Sequence, residues 1–453
     1  MDILRFRLIN TVGDSNSSIA KCLKKEKQSK LRTMDKIDKI LKICIDNGLI
    51  QTVLLNKKNN TDWALTKSTF ITKLDKLIRL FAISLVRKRE KVVSDRLFIV
   101  TTKFAYYCNP KYICESLIRK YSNVEIYWSS PNHLPDGYKG FPEKITVVNG
   151  HTYEFFKLIS SSKMILDNSI ESLAMGYKKK HKQLLVEIWH GSYGFKRFDN
   201  ISDIRWLKTA KKFGKMTDIC LSNSVYETEI FRSTFWKNSK IIMIGQPSND
   251  ILINDGGAQY NNNGDYLKKR LSIPKETKIA LYAPTYRFMS QYVPILDYQA
   301  LKDALINRFG GEWTILFRIH YESEKNGFLV NLPDFVIDVS SLDDIYELLP
   351  IVDVGITDYS SWMCSFILTK KPGFLFTPDL DEYVENRGFF HSLDESPLSI
   401  SKTTSDLEQA INDYNNDSFL IKCNAYLEKI GYVNNNHASD DSASLLLSLM
   451  EDK

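Results

Sequence analysis

The sequence predicts an α/β protein: two doubly wound, mostly parallel domains facing a cleft, with an extra helical region ahead of them. Three observations predict it. From about residue 95, strand-length apolar runs alternate with helix-period stretches, the pattern of parallel sheets covered by helices. The alternation falls into two series, divided at 254–265 by NDGGAQYNNNGD, whose Gly and Asn content reads as a surface loop or linker. Polar groups suited to phosphate recur just after the strands, and open α/β sheets bind ligands beyond the carboxyl ends of their strands. The chain is accordingly divided into 1–91 (helical and basic), 92–252 (first domain), 253–430 (second domain) and 431–453 (tail and helix).

Residues 1–91 differ from the rest. Lysine-rich KCLKKEKQSKLR (21–32) leads into a helical pattern at 34–47, and 56–62 reads as a polar loop. In the stretch 70–87, Phe70, Ile71, Leu74, Leu77, Ile78, Phe81 and Leu85 share one helix face. Lys73, Lys76, Arg79 and Arg87 lie opposite, with Lys88, Arg89 and Lys91 just beyond. Such a basic amphipathic helix either packs on its own domain or lies in an anionic membrane surface. Both readings stand at this point.

Strands follow at 96–101 (RLFIVT), 124–128 (VEIYW), 144–148, 164–166 and 184–189 (LLVEIW), with helices opening at Asn109-Pro110 and over 153–160. Further strands are expected at 241–244, 279–283, 314–317, 335–338, 353–357 and 373–376. A polar loop at 433–441 and a closing helix at 443–450 end the chain.

The stretch 352–371, VDVGITDYSSWMCSFILTKK, anchors the functional reading. Val352, Val354 and Ile356 alternate as in a strand, and Asp358-Tyr359-Ser360-Ser361 then precedes an apolar helical run. Asp and Ser there are helix-capping types, and a helix start suits a phosphate. The plainer alternative is an ordinary capped helix. Comparable groups follow other strands. After LLVEIW comes His190-Gly191-Ser192-Tyr193-Gly194-Phe195-Lys196-Arg197. After IALYA comes Pro284-Thr285-Tyr286-Arg287, and after TILF comes Arg318-Ile319-His320. One isolated histidine is more often structural than catalytic. Two at strand ends, beside Gly/Ser or Arg, point to chemistry. Arg287 and Arg318 are placed to hold phosphate oxygens bidentately, although a structural ion pair is the commoner fate of an arginine.

Composition sets the bounds. With 453 residues, 43% hydrophobic and 25% charged, the chain is of globular type and long enough for two or three cores. A net charge of +7 fits an anionic substrate or an acidic membrane surface, and no aromatic-basic signature calls for nucleic acid. The seven cysteines form no C-x-x-C pair, which reads as reduced thiols in the cytosol. The start MDILRFRLIN lacks a signal-peptide core, and no run approaches the ~20 apolar residues of a membrane span. No acidic cluster has metal-ligand spacing, so no obligatory metal is expected.

Taken together, Trp189-His190-Gly191, Gly245-Gln246-Pro247-Ser248-Asn249-Asp250, Tyr282-Ala283-Pro284-Thr285-Tyr286-Arg287, Arg318-Ile319-His320 and Thr357-Asp358-Tyr359-Ser360-Ser361 resemble the CDP-glycerol glycerophosphotransferases. These are the teichoic-acid primases and polymerases, with relatives acting on CDP-ribitol and in capsule synthesis. Asn109-Pro110-Lys111-Tyr112 and Asp381-Glu382-Tyr383 with Arg387-Gly388-Phe389 resemble family text too, so the likeness runs over roughly 95–425.

The resemblance implies a GT-B fold, with two Rossmann-like domains and the nucleotide held mainly by the second. It implies peripheral attachment to the inner face of a bacterial membrane, through the basic helix within 70–91. The catalytic pair falls on His190 and His320. Donor-binding positions fall on Gly191, Ser192, Lys196, Asn249, Thr285, Arg287, Arg318, Thr357, Asp358, Ser360 and Ser361. The implied donor is CDP-glycerol or CDP-ribitol, the acceptor a glycan, polyol phosphate or lipid-linked chain, and no further cofactor is expected. Many members carry H-G-T-P, G-Y-P-R-N-D and R-x-H-P where this chain has Ser192, Gln246 with Ser248, and Tyr321, so glycerol and ribitol both stay open. In the expected reaction an acceptor hydroxyl attacks the β-phosphorus and CMP leaves. One histidine serves as base and the other steadies the phosphate charge, with His190 favoured as the base. Two other readings stand: a GT-B glycosyltransferase using a nucleotide sugar, and a non-catalytic member that only binds a polyanionic polymer.

Overall fold

The computed structural model describes residues 33–47, 69–121, 123–191, 194–253, 258–285, 296–319, 331–433 and 435–451. Two parallel sheets organise it. The first holds β1 (Val93–Val100), β2 (Glu125–Ser129), β3 (Ile145–Val147), β4 (Ser162–Asp167), β5 (Leu184–Glu187), β6 (Ile219–Ser222) and β7 (Lys240–Met243), in the order β3-β2-β1-β4-β5-β6-β7. The second holds β8 (Lys278–Tyr282), β9 (Trp313–Phe317), β10 (Val336–Asp338), β11 (Val354–Thr357), β12 (Gly373–Phe376) and β13 (Ser399–Ser401), in the order β10-β9-β8-β11-β12-β13. All neighbouring strands run parallel. The strand order turns back between β1 and β4 and again between β8 and β11. Each switch point opens a crevice beyond the strand ends.

Both faces of the central strands are covered, which is why most of them read as apolar runs. Ile279, Ala280, Leu281 and Tyr282 of β8 are fully buried, as are Ile165 and Leu166 of β4. β6 and β13 went unanticipated. They are four and three residues long and carry Cys and Ser, too short and too polar for a clear pattern.

The segment expected as a linker is mostly a helix, Ala258–Arg270. Its Asn and Gly content disfavours a helix by propensity, so packing must decide. Leu267 joins the second domain's core, and Gly264 lies so close to Ile351 that a Cβ there would stand 3.0 Å from the Ile351 methyl. The closing helix, Ala438–Glu451, starts five residues before the sequence reading. Its cap comes from elsewhere: the Asp250 carboxylate accepts the N–H groups of Ala438 (3.0 Å) and Ser439 (2.8 Å). From there the chain returns to the first domain, where Ala443, Leu446 and Met450 pack with Leu97, Ile99, Ile113 and Leu117.

Two helices, Thr33–Asp46 and Thr69–Arg89, lie against the first domain. Leu41, Cys44, Ile45, Ala82, Ile83 and Val86 share a core with Phe98, Phe155 and Phe156. Arg79, expected on the polar side, is instead lodged inward, donating to the carbonyls of Ile45 (3.1 Å) and His151 (2.8 Å). The expected apolar face is therefore divided, with Ile78 and Leu85 packed against that core. Leu77 (62%) and Phe81 (55%) are largely exposed, and Leu74 and Leu80 are exposed with them. The lysine-rich stretch 21–32 and the polar loop 56–62 lie outside the described residues. The six described cysteines are all buried and unbridged.

If the closing helix is an integral part of the first domain, Leu446→Ala should cost about 2–5 kcal/mol, the usual range for truncating a buried leucine. Urea unfolding followed by circular dichroism reads this, and an unchanged midpoint would show the helix to be dispensable.

Candidate active site

The carboxyl end of β5 shapes the turn that carries His190. The Glu187 carboxylate accepts the Trp189 N–H at 2.7 Å, and Trp189 takes a left-handed φ of 51° that ends the strand. Glu187 stands beside Asp167 in the β4–β5 register, and both are fully buried. Burial raises the Asp167 pKa, against N–H bonds from Ser172 (2.7 Å), Ser169 (3.0 Å) and Glu171 (3.0 Å) that hold it down. Glu187 is pushed well above the usual carboxylate range, first by burial and then by Asp167.

Above this pair stands His190. Its Nδ1 lies 2.7 Å from the Asn168 carbonyl, which can only accept, so Nδ1 carries the hydrogen and Nε2 keeps a free lone pair. Solvent reaches the ring. The atoms crowded round it nonetheless lower its pKa below 6.5 by desolvation, the Asn168 bond opposes this, and the Lys196 charge adds to it. The lowered pKa favours the neutral imidazole, with its lone pair on Nε2.

The facing wall comes from β8 and β11. Thr357 Oγ1 donates to the Ala283 carbonyl (2.7 Å), and the Asp358 carboxylate accepts the Thr285 N–H (2.8 and 3.0 Å) and the Tyr359 N–H (2.5 Å). Asp358, Thr357 and Thr285 are buried and bind the two strand ends together. Ser360 and Ser361 are half-buried. The expected capping is not made: the helix Trp362–Phe366 has only five residues, and Ser361 at its start forms no side-chain cap bond. Asp358 is engaged with Thr285 and Tyr359 instead.

The two walls meet at Gly191. A Cβ on that residue would stand 2.6 Å from Ser361 Oγ, and its φ of 120° is one that side chains rarely adopt. Arg318, half-buried after β9, donates from Nη1 to the Val339 carbonyl at 3.0 Å. Lys196 forms a backbone bridge with Phe389 of the second domain, and its charge is felt at His190. Asn249 is placed differently. It is fully buried in the short turn Pro247–Asn249, donating to the Tyr432 hydroxyl at 2.9 Å. Ser192, Arg287 and His320 lie outside the described residues.

The Gln246–Asp250 stretch forms the joint between the domains. Gln246 donates to the Tyr346 hydroxyl (2.6 Å), and Ser248 donates to Asn109 Oδ1 (2.8 Å). Asn109 also donates to the carbonyls of Ile188 (3.2 Å) and Trp189 (3.3 Å), so the joint and the His190 turn share one amide. Sequence reasoning missed two residues here, Asn168 and Glu187; the second lies inside the apolar run LLVEIW, where nothing local marks it. Among the described residues no three His, Cys, Asp or Glu side chains gather to hold a metal ion.

Comparison with known proteins identifies the family. The profile of the CDP-glycerol:poly(glycerophosphate) glycerophosphotransferase family matches residues 80–443. A teichoic acid poly(glycerol phosphate) polymerase of Staphylococcus epidermidis is 30% identical over 362 residues, covering 75% of this chain and 48% of that protein. One from Bacillus subtilis is 27% identical, covering 83% and 51%, so this chain spans about half the length of these two relatives. A teichoic acid poly(ribitol-phosphate) polymerase of Bacillus spizizenii is 26% identical, covering 76% and 55%. Among solved structures, the wall teichoic acid polymerase TagF superposes with a TM-score of 0.71 at 27% identity, covering 84% of this chain and 96% of that one.

The hydrogen bond to Asn168 and the crowding together set a measurable expectation. In nitrogen-15 NMR, the His190 ring should stay in its Nδ1–H form at neutral pH and titrate below 6.5. A ring that titrates above that value, or carries its hydrogen on Nε2, would remove the base assigned here.

Proposed function

The chain belongs to the CDP-glycerol:poly(glycerophosphate) glycerophosphotransferase family, and on that premise we propose that it moves glycerol phosphate or ribitol phosphate from a CDP-linked donor. The receiving group is a hydroxyl of a cell-wall or capsular glycan, polyol-phosphate or lipid-linked acceptor, and CMP leaves. The observation that carries this reading is the approach of Gly191 to Ser361, which joins the His190 turn to the serine turn of the second sheet. A GT-B arrangement is the reading of the two sheets that goes with it, with 92–252 and 253–430 as its domains.

In this mechanism the acceptor hydroxyl gives its proton to His190 Nε2 as its oxygen bonds to the β-phosphorus. The bond from that phosphorus to the bridging oxygen breaks, and the electron pair leaves with CMP. Such transfer needs alignment and charge neutralisation more than covalent help. Arg287, Arg318 and the Ser360-Ser361 turn supply donors to the phosphate oxygens, and His320 steadies the departing charge. Because the base must be unprotonated, kcat/KM rises with pH through the lowered His190 pKa and levels off above it.

The test is a donor screen with product masses. CMP released from CDP-glycerol or CDP-ribitol, with the acceptor gaining a polyol phosphate, supports the proposal. Release of UMP or UDP from nucleotide sugars alone would replace it with glycosyl transfer, and polymer binding without any release with a non-catalytic role. In the active protein, His190→Ala and His320→Ala should each lower turnover by ~2–4 orders of magnitude. A variant with near-normal turnover would clear that histidine of any part in the chemistry.

We also propose that the helix Thr69–Arg89 rests on an anionic membrane surface. Among the described residues no helix is long and apolar enough to cross a membrane. Leu74, Leu77, Leu80 and Phe81 are exposed on this helix, with Lys73 and Lys76 exposed among them, a combination suited to the headgroup boundary. Leu77→Glu with Phe81→Glu should reduce co-sedimentation with phosphatidylglycerol vesicles and leave donor turnover in solution intact. Undiminished sedimentation would rule this face out.

A further inference from the structure

One cation of the first domain stands at the cleft without a role in the scheme above. β1 ends at Val100, beside the switch point with β4, and Thr101-Thr102-Lys103 follows. Lys103 is half-buried, its ammonium 4.7 Å from the centre of the Tyr107 ring, and donates to the Asp343 carbonyl at 2.8 Å. Arg318 comes to the same place from the second domain, donating to the Val339 carbonyl at 3.0 Å. The two carbonyls belong to one short stretch, 339–343, so two cations from opposite domains converge on one loop.

The nearby carboxylates are committed elsewhere. Asp343 accepts from the Tyr138 hydroxyl (2.7 Å), and Asp344 lies 3.4 Å from Lys111, which also pairs with Glu347 at 2.5 Å. Among the described residues Lys103 forms no ion pair, and a neutral carbonyl is its one hydrogen-bond acceptor. Two like charges converging in a partly dry cleft repel each other, and an anion between them turns repulsion into two charge-assisted bonds.

We propose that Lys103 is a substrate-binding residue that, with Arg318, clamps a phosphate group between the two domains. This rests on the transferase reading and deepens it. The group is either the diphosphate of the CDP-polyol donor or a phosphodiester at the end of a polyol-phosphate acceptor. The electrostatic surroundings agree: burial first, then the Arg318 charge, lowers the Lys103 pKa to about 8, against Asp343, Asp344 and Cys108, which raise it. An ammonium with that pKa is charged at neutral pH and loses its charge as pH rises through about 8.

Lys103→Ala and Lys103→Arg in the full chain test this, with calorimetric binding of CDP and of a glycerol-phosphate oligomer, and with donor and acceptor KM measured separately. In Lys103→Ala one of these ligands should bind about 10- to 100-fold more weakly, with its KM raised in step and kcat largely kept. Loss on the CDP arm assigns the donor diphosphate, and loss on the oligomer arm assigns the acceptor. Lys103→Arg should restore most of the affinity. Wild-type kcat/KM for that substrate should fall as pH passes about 8, while Lys103→Arg stays flat because arginine keeps its charge. Unchanged affinities in Lys103→Ala, or the same alkaline fall in Lys103→Arg, would overturn the clamp. The binding arms need no turnover, so a chain that binds CDP but releases no CMP would refute the transferase reading and still decide on Lys103.

Discussion

The two walls of the cleft touch where Gly191 meets Ser361. Any side chain at 191 would collide with the serine hydroxyl, 2.6 Å from where its Cβ would stand, and would have to adopt a φ of 120° as well. The absence of a side chain lets the two walls of the cleft touch. A parallel sheet delivers every carboxyl strand end to the same edge, so each wall is a row of strand-end turns. With the edges facing, the His190 turn and the Ser360-Ser361 turn become neighbours although 170 residues of chain separate His190 from Ser360.

Each turn is held from behind by buried polar groups. The Glu187–Asp167 pair shapes the His190 turn, and the Asp358 carboxylate ties β11 to β8 through the Thr285 N–H. A buried carboxylate that accepts several N–H groups locks backbone geometry, because leaving any of those donors unpaired would cost more than a surface bond returns. Positive charge completes the arrangement. Lys196 helps keep the His190 imidazole unprotonated, and the same sign of charge on Arg318 and Lys103 favours an anion in the cleft. One positive field therefore keeps the imidazole neutral and, in the proposed reaction, receives the substrate phosphates.

The chain crosses between the domains near 245–253 and returns near 431–438, and the crossings are bonded to each other. Asn435 donates to the Ile244 carbonyl at 3.1 Å, Asp250 caps the returning helix, and Ser224 bridges to Tyr432. The Gln246–Asp250 stretch is thus explained by what it joins. Its asparagine, read from the family likeness as a donor contact, is enclosed in that joint.

Local pattern by itself determined a good deal. Apolar runs of strand length located eleven of the thirteen strands among the described residues, missing β6 and β13. The polar groups after those runs pointed to His190, Gly191, Arg318 and Ser361, because chain direction in a parallel sheet decides which end of each strand faces the crevice. Tertiary structure decided the rest. It made a helix of an Asn- and Gly-rich stretch by packing Gly264 against Ile351, and it capped the closing helix with a carboxylate nearly 190 residues away. It turned Arg79 inward and Leu77 outward on a helix whose periodicity suggested otherwise. Periodicity records only which residues share a face. Which face meets which neighbour, and which charge stands opposite which, depends on contacts between distant segments, and those form only when the sheets are packed together.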